Sequence, residues 1–143
     1  MEKILVSSGK KRYQIVDEYD NELGIIIIDP KDANLAKRAI VAKDNILAYI
    51  DRAALIADSE KKKDAIEEIS EIDEMIKKEL NTMFGYDISS SVFKETNCLS
   101  TSNGITFVER FLDAITPVIE KEFEKEFKAV ESRISKYTAG YHK

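Results

Sequence analysis

The 143-residue chain has no tryptophan, one cysteine, one histidine, two prolines and five glycines, and each shortage removes a class of function. With Cys98 alone, no intramolecular disulfide can form, which fits a reducing compartment. Cys98 and His142 cannot together supply the nitrogen and sulfur ligands of a zinc site. A nucleophilic triad needs a base beside Ser, Cys or Thr, and the only imidazole is that of the penultimate residue. Gly85, Gly104 and Gly140 stand isolated and neither GxGxxG nor GxxxxGK occurs, so no phosphate-cradling loop is expected. Long apolar runs are also missing. Ile25–Ile28 is far short of the ~20 residues that span a bilayer, and the segment from Met1 to Arg12 has no apolar stretch of signal-peptide length.

Excess charge of one sign is modest. The 22 basic and 27 acidic residues give a net charge of −5 and alternate along the chain. Phosphate backbones require a concentrated basic surface, so nucleic acid is not an expected partner. Lys61–Lys63, flanked by Glu60 and Asp64, fits a solvated helix face.

What remains is a hydrophobic fraction of 43% and a charged fraction of 34%, in a length that suits a single domain over residues 1–143 with a core of its own. Three segments rich in β-branched and aromatic residues open the chain: Lys3–Ser7, Arg12–Asp17 and Leu23–Asp29. Turn-forming residues separate them, which predicts a three-stranded antiparallel meander over residues 1–29. Ile25–Ile28 would place apolar groups on both faces of its strand, so a helix or another subunit should cover it.

At Asp29-Pro30 the pattern changes to that of a helix start, with Asp29 as cap and Asp32 in the first turn. Leu35, Ala39, Ala42, Ile46, Ile50, Ala53 and Ala57 then recur at helical spacing, small enough for close approach of a neighbouring helix. Ile66, Ile69, Ile72, Ile76, Leu80 and Met83 form a second stripe that ends at Phe84-Gly85. Residues 30–84 are therefore read as a helical pair that breaks near Asp58. Residues 85–143 should hold the C-terminal helices: a short one capped by Asp87, a polar loop from Glu95 to Gly104, a helix from Phe107, and a kink or restart at Pro117 with Thr116 as cap. The expected fold class is α+β, a meander followed by four or five helices.

Candidate chemistry is sparse. Glu67, Glu71 and Glu74 share a helix face, as an amphipathic helix shows on its solvated side, and the Glu-x-x-His motifs of di-iron bundles are absent. Asp73 falls on or beside an apolar stripe, where an ionised group needs a partner, so a capping or salt-bridge role at a helix junction is expected. Ile119, Phe123, Phe127, Val130, Ile134 and Tyr137 line the last helix. Phe123 and Phe127 are either core or a face offered to a partner helix, and Phe123, Phe127, Ile134 and Tyr137 are the candidate partner-binding residues. The protein is thus expected to bind other chains without catalysis, metal or cofactor, and its apolar strand and stripes predict a homo-oligomer.

Ile72-Asp73, Phe84-Gly85, Asp87, Val92-Phe93, Asn97, Ser100, Phe107, Phe111-Leu112 and Pro117 together resemble the small tail assembly chaperones of long-tailed phages and related prophages of Gram-positive bacteria. The meander leading into a helix through Asp-Pro resembles their layout too. The resemblance implies a protein of the host bacterial cytoplasm that coats the aggregation-prone tape measure protein until major tail tube subunits polymerise around it and displace the chaperone. It also implies that Phe84, Phe93, Phe111 and Leu112 are fold residues. A structural virion component, such as a head-tail connector or tail completion protein, is the alternative.

Overall fold

A computed structural model describes residues 1–58 and 62–141, with side chains for all of these except residues 62 and 135–141. The order of elements is β1 (Lys11–Val16), β2 (Glu22–Ile28), α1 (Ala33–Ala57), α2 (Lys62–Phe84), α3 (Ile88–Phe93), β3 (Thr101–Ser102), β4 (Ile105–Thr106) and α4 (Phe107–Tyr141). The class is α+β and mostly helical, but the three-stranded meander is not there. β1 and β2 form a two-stranded antiparallel hairpin, and β3 and β4 form a second one. Lys3–Ser7 is not a strand. Ile4, Leu5 and Val6 are 92%, 91% and 83% exposed, and the Lys31 ammonium donates to the Ser8 carbonyl at the root of this arm. β-propensity alone could not bring the segment onto β1, because a strand exists only through its pairing.

In the first hairpin Tyr13 faces Ile26 and Lys11 faces Ile28, and Ile26 and Ile28 are buried. The connecting turn is held by Asp17, whose carboxylate accepts from the N–H groups of Tyr19 and Asn21, both at 2.9 Å. Those bonds, the Asn21 one foremost, hold the Asp17 carboxyl below the usual carboxylate range. The loop expected from Glu95 to Gly104 contains the start of the second hairpin, with Asn103 and Gly104 at φ 53° and 80°. Positive φ at both central positions is the geometry that matches hairpin twist.

α1 begins later than expected. Asp32 is the cap, accepting from the Asn34 N–H, while Asp29 closes a turn by accepting from the Lys31 N–H. The chain breaks at Asp58, which C-caps α1. α1 and α2 run antiparallel, since Arg38 donates to the Met83 carbonyl and Asn45 to Glu79. Gly85, at φ 81°, terminates α2, and Asp87 caps α3 by accepting from the Ser90 N–H. Asn81 fixes this junction by donating to Asp87 and accepting from the Ser89 N–H.

Pro117 neither ends α4 nor makes Thr116 a cap; it lies inside one helix. A proline costs a helix one hydrogen bond and a clash with the carbonyl four residues back. Pro117 is on the exposed side, where water can take that carbonyl. Buried Ile115 and Ile119 on either side hold both turns against the body. The core joins the inner face of the first hairpin, the facing stripes of α1 and α2, α3 and the first half of α4. At its centre Phe93 meets Phe107 edge-on at 4.8 Å and Phe111 at 5.9 Å.

Candidate partner-binding surface

α4 changes character along its length. Val108, Phe111, Leu112, Ile115 and Ile119 are buried. Phe123 is half-buried and packs on the core from its edge. Phe127, Val130 and Ile134, one and more turns further on, are 69%, 47% and 60% exposed. The same apolar stripe is therefore core over its first turns and uncovered surface over its last. Of the four candidate residues, Phe123 belongs mainly to the body, Phe127 and Ile134 lie open, and the side chain of Tyr137 falls outside the described residues. Glu124 and Lys128 pair at 2.8 Å on the polar flank. That pairing lowers the Glu124 pKa and raises that of Lys128.

Two groups fix where α4 leaves the body. Glu122 is buried, and its carboxylate accepts a short hydrogen bond of 2.5 Å from the Tyr13 hydroxyl on β1. The bond to Glu122, with burial and the neighbouring negative charge, raises the Tyr13 pKa. Neither residue stands out in the sequence, because a glutamate within EKEFEKEFK looks like one more solvated charge.

Beside Phe123 a cleft of about 390 Å³ opens between α1 and α4. Ala36, Ala39 and Ile40 line it from α1, Ile115, Ile119 and Phe123 from α4, and Met83 closes its floor. The alanines leave the space, as their small side chains would for a neighbouring helix. Ile40 is 66% exposed. It lies off the α1 stripe, so periodicity gave it no role. Lys43, Asp44 and Glu120 also border the cleft. Through Phe123 the cleft runs into the uncovered stripe, which gives one apolar track long enough for several helical turns. Its chemistry suits the apolar face of another helix, with charge pairs at the rim.

The other candidate groups have structural places. Asp73 is buried, accepts from the Cys98 N–H at 2.7 Å and pairs with Lys77 at 3.0 Å. Lys77 also donates to the Thr96 carbonyl at 3.0 Å, so α2 is tied to the connection after α3. The Cys98 thiol is buried. Burial first, and then Asp73, push its pKa up and hold it protonated. Glu67, Glu71 and Glu74 are exposed, and among the described residues no group of three or more His, Cys, Asp or Glu is placed to hold a metal ion. Nor is any described helix long and apolar enough to cross a membrane. No protein-family model, curated protein or solved structure matches the chain.

Proposed function

We propose that the chain is a tail assembly chaperone of a long-tailed phage or prophage, working in the host cytoplasm, which holds an apolar helical segment of the tape measure protein. The observation that carries this reading is the continuity, at Phe123, of the α1–α4 cleft with the open stripe of Phe127, Val130 and Ile134. A helix laid along this track would bury its own apolar face and that of α4 together. The site is shallow and open at one end, and such contacts must offset the cost of ordering the partner, so binding is of modest affinity. Modest affinity is what the role requires, because polymerising tail tube subunits must be able to displace the chaperone. The alternating Glu and Lys of α4 keep the carrier soluble beside its apolar stripe.

Co-expression tests the reading. The chain should co-purify with its tape measure protein and raise that protein's soluble yield, and Phe127→Ser with Ile134→Ser should abolish both effects. An unchanged soluble yield with the wild-type chain would overturn the proposal. Mass spectrometry of purified particles separates it from a structural virion component, which would be retained in mature virions where a chaperone is absent.

A further inference from the structure

We propose that residues 3–7 are a strand kept for a second copy of this chain: the arm of one protomer pairs with the open edge of β1 in its partner, and the partner's arm returns the contact. The sheet formed by β1 and β2 has two edges in different states. On β2 the Tyr86 hydroxyl accepts from the Ile27 N–H at 2.9 Å and donates to the Ile25 carbonyl at 3.3 Å. Ile25 and Ile27 thus point their backbone groups away from β1. In an antiparallel ladder the residues opposite them share that orientation outward. Those residues are Gln14 and Arg12, so their N–H and C=O groups face away from β2. Among the described residues those outward groups have no hydrogen-bond partner. One edge is plugged by a side chain and the other is open.

The arm has what the open edge lacks. Its residues Lys3–Ser7 combine β-branched and apolar side chains, and Ile4, Leu5 and Val6 touch little of the body, being 92%, 91% and 83% exposed. At about 3.3 Å per residue the five residues of the arm span ~17 Å, against ~20 Å for β1. Its own β1 is not what it meets. The Lys31 ammonium donates to the Ser8 carbonyl, Gly9 turns at φ 74° against the Lys31 side chain, and Lys31 follows the end of β2. The root is thereby held at the β2 end of the hairpin while the β1 edge stays open. Every copy carries one arm and one matching edge, so reciprocal exchange about a two-fold axis fills both, and a closed dimer results. An unrelated partner strand would fill the edge and leave the arm idle.

The full chain, measured by light scattering after size exclusion, should have twice the 16.3 kDa chain mass. Leu5→Pro removes a strand N–H from a residue outside the core, so this variant should keep its helix content and fall to the mass of one chain. A second measurement uses Leu5→Cys and Gln14→Cys on separate, differently tagged chains, with Cys98 buried and silent. Mixing and mild oxidation should give the disulfide between the two tags. A monomeric wild-type chain, an assembly that keeps its mass in Leu5→Pro, or the absence of the mixed disulfide would overturn the inference. The first two of these outcomes leave the α4 track untouched, so failure here is distinct from failure of the proposed chaperone activity.

Discussion

Replacing Asp73 by alanine removes a side chain that, with Lys77, ties α2 to the connection after α3. Its carboxylate is nearly out of solvent, with the side chain 12% exposed, and it pairs with a Lys77 that is itself only 20% exposed. Two losses follow together: the charge-assisted hydrogen bond that satisfies the buried Cys98 N–H, and one of the two partners of the Lys77 ammonium, which keeps only the Thr96 carbonyl. A hydrogen bond to a charged group is worth about 1.5–3 kcal/mol, and an orphaned buried donor costs a comparable and overlapping amount. Removing one member of a buried pair sits at about 3–5 kcal/mol. The retained lysine contact places Asp73→Ala near the lower end, at about 3 kcal/mol. For a chain of this size that corresponds to a fall in Tm of roughly 10 °C. Asp73→Asn keeps an acceptor for the Cys98 N–H and loses only the charge, so it should cost about 1 kcal/mol. Urea unfolding followed by far-ultraviolet circular dichroism measures both, and a double-mutant cycle with Lys77→Met isolates the pair. If Asp73→Ala unfolds within about 0.5 kcal/mol of wild type, the carboxylate is not a structural tie and the reasoning fails.

Three further outcomes are expected. Phe127→Ser should leave the unfolding free energy within the scatter of surface substitutions, about 0.5 kcal/mol, while Phe123→Ser lowers it by about 2 kcal/mol, because only Phe123 packs on the core; equal losses for the two would contradict the division of α4 into core and surface. Gly24→Ala puts a Cβ 3.0 Å from the Ser91 Cβ and should destabilise by about 1–3 kcal/mol, with Ser91→Gly restoring part of the loss in the same unfolding assay. Because the Cys98 pKa is raised by burial and Asp73, the native state binds the thiol proton more tightly than the unfolded chain does. The resulting stability is fully present below the ordinary thiol pKa and is lost as pH climbs above it. Tyr13 and Tyr86, whose pKa values are also raised, act in the same direction at higher pH. Urea midpoints across the alkaline range should therefore fall less steeply in Cys98→Ala, and a thiol reagent at neutral pH should label wild type only after unfolding.

The α1–α2 pair and the start of α3 were legible in the sequence. The stripes of α1 and α2, the break at Asp58, the stop at Gly85 and the Asp87 cap all rest on interactions within a few residues, which a sequence records directly. The second hairpin carried its signal in Asn103-Gly104. With strands of two residues each, though, no alternation surrounds the turn to mark it.

Other features depend on groups far apart in the chain. Lys3–Ser7 has strand composition and is no strand, because composition cannot say whether a pairing edge lies within reach. Asp29 and Asp32 both suit a helix cap, and the choice of Asp32 goes with the turn that Asp29 closes. Pro117 is tolerated inside α4 because buried neighbours hold both sides of it. Glu122 is buried with its carboxylate bonded to Tyr13, 109 positions away. From the sequence alone came a helix-dominated α+β class, an apolar stripe running from Ile119 to Tyr137, and the scarcity of histidine and cysteine. Tertiary structure decided that this stripe divides at Phe123 and that a cleft opens there between α1 and α4. The physical reason is that periodicity fixes which face of a helix is apolar, whereas the extent of the neighbouring elements fixes how much of that face is covered.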